Sequence, residues 1–211
     1  MRDWPLSDVP PLVGIMRGLT LEQALRGTEA VGRGGVRLVE VTMNSPTALE
    51  TISALRESMQ GEVEVGAGTV CTPAELEQAL EAGARFIVTP VVVPEIIQKC
   101  VELAIPVAPG AFTPTEIYQA WTLGASVVKV FPAEVLGPAF MRAVRAPLPE
   151  VRLMPTGGVT VETLGDYLQA GATAFGLGSP LFAPDLIRAE DWKSLEARAG
   201  AFVAAYRQAK S

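Results

Sequence analysis

The chain reads as one α/β domain over residues 1–211, a (β/α)8 TIM barrel, and three observations lead there. Short β-rich apolar runs alternate with longer segments of helical character, which implies parallel strands joined by crossover helices. The runs number eight, and 211 residues suffice for eight compact β/α units around one core. A doubly wound open sheet is the competing architecture. Its dinucleotide fingerprint, Gly-x-Gly-x-x-Gly between an early strand and a helix, is missing, and Gly66-Ala67-Gly68-Thr69 is only a partial match.

The expected strands cover residues 12–16, 37–42, 63–67, 85–89, 106–108, 127–131, 152–154 and 174–177. After the first, Thr20-x-x-Gln23 is a capping box in which side chain and backbone satisfy each other's orphan groups at a helix start. Thr72-Pro73-Ala74-Glu75 does the same after the third strand and Thr113-Pro114-Thr115-Glu116 after the fifth. In both, proline occupies the first helical position, where a missing N–H is no loss. Helix stops precede the fourth, sixth and eighth strands, in Ala82-Gly83-Ala84, Leu123-Gly124-Ala125 and Ala170-Gly171-Ala172. The recurrence is a faint internal repeat. The last segment places Trp192, Leu195, Ala199, Phe202 and Tyr206 at three- and four-residue spacing, one apolar helix stripe that reads as core packing.

Composition removes several function classes. Seventeen basic residues against 23 acidic give a net charge of −6, with no Lys/Arg cluster to track a phosphate backbone, so no nucleic-acid partner is expected. Met1-Arg2-Asp3-Trp4-Pro5 is not followed by the apolar stretch of a signal peptide, and no run approaches the ~20 apolar residues of a membrane span. A cytoplasmic protein without membrane contact is the expectation. Cys71 and Cys100 lie in no metal-ligand spacing and read as ordinary thiols. The chain has no histidine, which excludes Ser-His-Asp and Cys-His nucleophilic systems and His-ligated zinc. Acid–base work falls to carboxylates, lysine, tyrosine, cysteine or water.

Barrel chemistry belongs at the C-terminal ends of the strands. Lys129 lies there, in the apolar run Val127-Val128-Lys129-Val130-Phe131-Pro132. Burial disfavours the ammonium and lowers a lysine pKa from about 10.4 towards neutrality, which frees an amine that can attack a ketone and form an imine. The alternative is a strand-end lysine that snorkels to solvent or pairs with a carboxylate. Period-two alternation puts Leu38, Glu40 and Thr42 on the inward face of the second strand, with Val39 and Val41 towards the helices. Glu40 then points into the barrel near its catalytic end, either as an acid/base with a raised pKa or as half of a structural salt bridge. The same alternation points Lys129 inward. The second and sixth strands face each other in an eight-stranded ring, so the two side chains can meet across the mouth. Glu64, early in the third strand, is a weaker rival as acid/base.

Around that mouth, Arg17 ends the first strand and offers a planar fork for a carboxylate or phosphate. Thr69 offers a hydroxyl or is merely a loop residue. Thr156-Gly157-Gly158-Val159-Thr160 and Gly178-Ser179-Pro180 follow the last two strands, the usual place for a phosphate held by backbone N–H groups.

These residues resemble a known family, the class I 2-keto-3-deoxy-6-phosphogluconate (KDPG) aldolases and the related 4-hydroxy-2-oxoglutarate (KHG) aldolases. The resemblance runs through Gly14-Ile15-Met16-Arg17-Gly18, Val39-Glu40-Val41-Thr42, Val65-Gly66-Ala67-Gly68-Thr69-Val70, Ile87-Val88-Thr89-Pro90, Val128-Lys129-Val130-Phe131-Pro132-Ala133, Pro155-Thr156-Gly157-Gly158-Val159 and Gly176-Leu177-Gly178-Ser179. It implies that Lys129 forms a Schiff base and Glu40 is the general acid/base. It assigns substrate contacts to Arg17, Thr69, Pro90, Phe131 and Thr156, and phosphate contacts to Gly157, Gly158, Gly178 and Ser179. It further implies a cytoplasmic (β/α)8 homotrimer of carbohydrate metabolism, with no metal or cofactor, acting on a phosphorylated keto sugar acid and releasing pyruvate. Two positions point to different branches. Asn44-Ser45-Pro46 resembles the galactonate-configured branch, whereas many gluconate-type members carry arginine at Asn44. Thr156 resembles the gluconate branch, because the galactonate branch tends to place valine there. A phosphosugar isomerase or epimerase on the same barrel and a non-catalytic binding protein are the other readings.

Overall fold

The computed structural model describes residues 9–210, so the Met1–Pro5 stretch lies outside it. In chain order the elements are β1 (Leu12–Met16), α1 (Leu21–Arg33), β2 (Leu38–Thr42), α2 (Ala48–Ser58), β3 (Glu64–Gly68), α3 (Pro73–Glu81), β4 (Ile87–Val88), α4 (Pro94–Glu102), β5 (Val107–Ala108), β6 (Gly110–Ala111), α5 (Pro114–Thr122), β7 (Val128–Val130), α6 (Ala133–Arg145), β8 (Leu153–Pro155), α7 (Val161–Gln169), β9 (Phe175–Leu177), α8 (Pro184–Arg188) and α9 (Trp192–Lys210). The strand pairings among the described residues are parallel, in a six-stranded sheet of order β5-β4-β3-β2-β1-β9 and a three-stranded sheet β6-β7-β8. The fold is an α/β domain around a curled parallel sheet.

Each of the eight expected runs contains a strand, but the ladder differs from the single closed ring of eight that the pattern predicts. The fifth run ends at Ala108 as expected, but beyond Pro109 a further strand forms: β5 pairs with β4 on one side, and β6 pairs with β7 on the other. Proline has no N–H to donate to a ladder, although the Pro109 carbonyl still accepts from the Lys129 N–H at 2.8 Å. At the other seam only isolated parallel bridges, Leu153 with Ala172 and Thr156 with Gly176, link the small sheet to the β9 region.

The punctuation follows the residues that encode it. Capping boxes form at Thr20, Thr72 and Thr113. A fourth, at Thr160, uses Thr163 as its reciprocal partner and so escapes a search for Glu or Gln at that place. Gly83, Gly124 and Gly171 take φ of 97°, 102° and 92°, the left-handed turn that ends a helix and costs glycine no Cβ clash.

Two apolar layers hold the fold. One fills the space between sheet and helices and includes Val39, Val41, Val128 and Val130. The other, Val13, Leu38, Phe86, Val88, Ala108, Val127, Met154 and Ala174, fills the interior of the curl near the strand starts. The expected alternation is therefore observed: Leu38 and Val127 go inside, and the valines beside Glu40 and Lys129 go to the helices. In α9, Leu195, Ala199 and Phe202 are buried, with Trp192 and Tyr206 packed alongside. No helix among the described residues is long and apolar enough to cross a membrane.

Candidate active site

β2 and β7 carry the central pair. Glu40 is 1% exposed and Lys129 4%, each flanked in sequence by valines that pack outward. Burial pushes the Glu40 carboxyl above its ordinary range, against the pull of the Lys129 and Arg17 charges. It pushes the Lys129 amine below its ordinary range. There Glu40 acts to raise the pKa and Arg17 to lower it. All three side chains thus share one field, and desolvation is the largest influence on both Glu40 and Lys129. Glu40 Oε2 is buried with no hydrogen-bond partner among the described residues, so this carboxyl is not consumed in a structural ion pair. Its other oxygen lies over Gly68, where a Cβ would sit 2.3 Å from Oε1. Only glycine leaves room for the carboxyl at that spot. Glu64, by contrast, faces Arg56 at 3.5 Å and Arg85 at 3.9 Å, a structural role.

Arg17 is aimed by two acceptors: Nη1 donates to Asn44 Oδ1 at 3.1 Å and Nη2 to Thr69 Oγ1 at 3.3 Å. Thr69 adopts φ 57°, a left-handed conformation unusual for a β-branched residue and costing about 1–3 kcal/mol. The strained backbone presents its hydroxyl to the guanidinium. The Asn44 loop is tied to the same corner, because the Gly18 N–H donates to Ser45 Oγ at 2.9 Å and Ser45 Oγ lies 3.0 Å from Thr42 Oγ1. Asn44 therefore acts here through Arg17, a contact that the spacing of the two residues in sequence does not reveal.

The Phe131 ring centre lies 4.9 Å from Lys129 Nζ and covers the amine. Pro90 sits where the backbone crosses closely, its carbonyl 2.1 Å from a Cβ built on Gly110. Thr156 is buried opposite Gly176, and its hydroxyl donates weakly to the Met154 carbonyl at 3.4 Å. Gly157 and Gly158 take φ 94° and 72° and lie against the start of α6, beside Pro132 and Glu134 respectively. Gly178 and Ser179 instead join Arg17 in lining a cavity of about 450 Å³, together with Gln23, which the sequence marks only as a helix cap, and Arg188, which sequence reasoning did not single out. The two glycine-bearing loops thus have different neighbours. No cluster of His, Cys, Asp and Glu suited to a metal occurs among the described residues.

Such a site, a desolvated amine beside an unpartnered buried carboxyl and an oriented arginine, can form an imine with a keto acid and move protons around it. The family model for KDPG and KHG aldolase matches residues 8–198. The chain belongs to the KDPG and KHG aldolase family. It is thus an aldolase, a lyase. Among its relatives, the 2-dehydro-3-deoxy-6-phosphogalactonate aldolase of Escherichia coli (strain K12) is 37% identical, over 94% of this chain and 96% of that one. The 2-dehydro-3-deoxy-phosphogluconate aldolase of Treponema pallidum (strain Nichols) is also 37% identical, over 90% and 89%. Among solved structures, the KDPG aldolase of Legionella pneumophila with pyruvate captured as a covalent carbinolamine superposes with a TM-score of 0.86 at 28% identity, covering 92% of this chain and 95% of that one.

Proposed function

We propose that this aldolase is a class I, Schiff-base enzyme that cleaves 2-keto-3-deoxy-6-phosphogluconate, and its C4 epimer the galactonate, to pyruvate and glyceraldehyde 3-phosphate. The observation that carries the reading is the burial of Lys129 within the field of Glu40, which favours a free amine beside a protonatable carboxyl. The Lys129 amine adds to the C2 ketone, giving a carbinolamine. Glu40 moves the protons that let it lose water and become an iminium. Loss of the C4 hydroxyl proton then breaks the C3–C4 bond, and the electron pair enters the iminium to leave a pyruvate enamine on Lys129 and free aldehyde. Protonation at C3 and hydrolysis release pyruvate and regenerate the amine. Each step uses Lys129, Glu40 or water, so the proposed route calls for no metal or cofactor. Arg17, held by Asn44 and Thr69, binds the substrate carboxylate, while Thr69, Pro90, Phe131 and Thr156 shape the pocket and Gly157, Gly158, Gly178 and Ser179 receive the phosphate.

Acceptance of both C4 configurations is supported by the mixed pair Asn44 and Thr156 and by relatives of equal identity named for each epimer. We also read the two sheets as one (β/α)8 barrel, supported by the continuity of the chain through Pro109 and by the bridges of Thr156 and Leu153 to the β9 side. A cytoplasmic homotrimer completes the proposal. Val91, Phe112, Phe131 and Val135, exposed apolar side chains that follow β4, β6 and β7, are the surface a neighbouring subunit would cover.

Pyruvate with sodium borohydride tests the chemistry. A reduced pyruvyl adduct should appear in the intact mass, map to Lys129 and vanish in Lys129→Ala, and the untreated sample should weigh three times 22.3 kDa by light scattering. No adduct on folded wild-type protein, or one on another lysine, would move the reading to a phosphosugar isomerase or a binding protein.

A further inference from the structure

We infer that Arg188, assisted by Gln23, is the side-chain anchor for the phosphorylated end of the substrate and sets the preference for phosphorylated over unphosphorylated acids. The inference rests on the aldolase reading above and deepens it. Arg188 closes α8 and lines the 450 Å³ cavity. Arg17, Gln23 and Ser179 reach the same cavity, and no carboxylate among the described residues lines it. A space with two guanidiniums, an amide and a hydroxyl but no acid attracts an anion.

The two arginines are not equivalent. Both Nη atoms of Arg17 are already engaged, by Asn44 and Thr69, which fixes its direction. Arg188 has no ion pair with a carboxylate among the described residues, whereas Arg26, Arg33, Arg56 and Arg85 each have one. Gln23 is held by the capping box: its Oε1 accepts the Thr20 N–H at 3.1 Å, which leaves the amide NH2 as a free donor on a fixed arm. The floor of the cavity is apolar, with Ile15, Leu19, Phe182 and Ile187, so an ion pair formed there is partly shielded from water. The loop after β9 is itself braced, since Arg198 of α9 donates to the Pro180 carbonyl. A keto acid phosphorylated at its far end carries two anionic groups, and this arrangement supplies a separate arginine for each. Backbone N–H groups of the glycine loops hold a phosphate but do not reward its full charge as a guanidinium does.

The test compares wild type, Arg188→Gln and Arg188→Lys on a 2-keto-3-deoxy-6-phosphohexonate and on its unphosphorylated counterpart, with inorganic phosphate as competitor. In Arg188→Gln, kcat/KM for the phosphorylated acid should fall by ~10–100-fold, mostly through KM, as expected for loss of a charge-assisted hydrogen bond. The unphosphorylated acid should change by no more than about twofold, within the small effect of a surface substitution on a group it does not touch. Phosphate should inhibit the variant more weakly, and Arg188→Lys should recover part of the loss. Equal losses on both acids, or an unchanged preference with unchanged phosphate inhibition, would overturn the assignment. Pyruvate trapping on Lys129 separates the two levels: normal trapping with unchanged preference sinks only the role of Arg188, whereas no trapping in wild type sinks the aldolase reading and this one with it.

Discussion

Leu38 and Glu40 point into the same curl from the same strand, two residues apart, and Val127 and Lys129 do so on the run that forms β7. All four are at most 4% exposed. The lower layer turns that burial into stability, about 1.5–3 kcal/mol for a Leu-sized side chain. The upper layer turns the same burial against the charged forms of its groups. Equal desolvation therefore does opposite work one layer apart: below it holds the sheet in its curl, above it disfavours the charged forms of a carboxyl and an amine. Their pH linkages have opposite signs. With the Lys129 pKa lowered, the unfolded chain binds more protons between that lowered value and 10.5, so this group makes stability rise with pH across the window. With the Glu40 pKa raised, the folded chain binds more protons from 4.5 up to the raised value, so this group makes stability fall as pH rises there.

Removing the carboxyl charge tests the upper layer most severely. Glu40→Gln should slow pyruvate trapping and cleavage by ~10²–10⁴-fold, the usual weight of a positioned general acid/base. Because the Glu40 charge raises the Lys129 pKa, its loss should also displace the rising limb of the pH–rate profile for adduct formation to lower pH. A profile that keeps its position would show that the two groups are not coupled, and a rate near wild type would return Glu40 to a structural role.

Converting the upper layer into a copy of the lower one has a smaller effect, on stability. The double variant Glu40→Met with Lys129→Met replaces both buried ionisable groups by apolar side chains of similar length. Denaturant unfolding at neutral pH should find it more stable by about 1–4 kcal/mol, as when buried charged groups are replaced by apolar ones, with all trapping lost. A less stable double variant would mean that the two groups hold the fold together as well as serving the chemistry.

The layered layout was legible in the sequence because β-strand alternation is strict: once Val39 and Val41 are assigned to the helices, Glu40 has only the interior left. The helix boundaries were legible for a similar reason, since Thr72, Pro73 and Glu75 satisfy local geometry irrespective of the rest of the chain. What alternation does not encode is the seam at Pro109, where a further strand follows one residue lacking an N–H and joins the other sheet. Arg188 and Gln23 were equally silent. A terminal arginine on a five-residue helix and a capping glutamine look like surface and punctuation until the fold brings both to one cavity beside Arg17. Long-range convergence, unlike periodicity, leaves no mark on neighbouring residues.

The smallest expected effect concerns the rim of the upper layer, where Thr156 is 3% exposed and spends its hydroxyl on a long 3.4 Å contact with the Met154 carbonyl. Such a hydroxyl is available to a substrate group. Gly176 opposite has no Cβ, and one built there would meet Thr156 Oγ1 at 2.3 Å, so valine, nearly the same shape as threonine, fits with little rearrangement. Thr156→Val should therefore change chemistry more than packing. Cleavage of the gluconate epimer should fall about tenfold in kcat/KM relative to the galactonate epimer, the worth of one hydrogen bond of about 1.4 kcal/mol. Asn44, which accepts a hydrogen bond from Arg17, is untouched by the change, so pyruvate trapping should persist at the wild-type level. An unchanged epimer ratio would remove Thr156 as the discriminator and leave the choice of C4 configuration to the Asn44 side of the mouth.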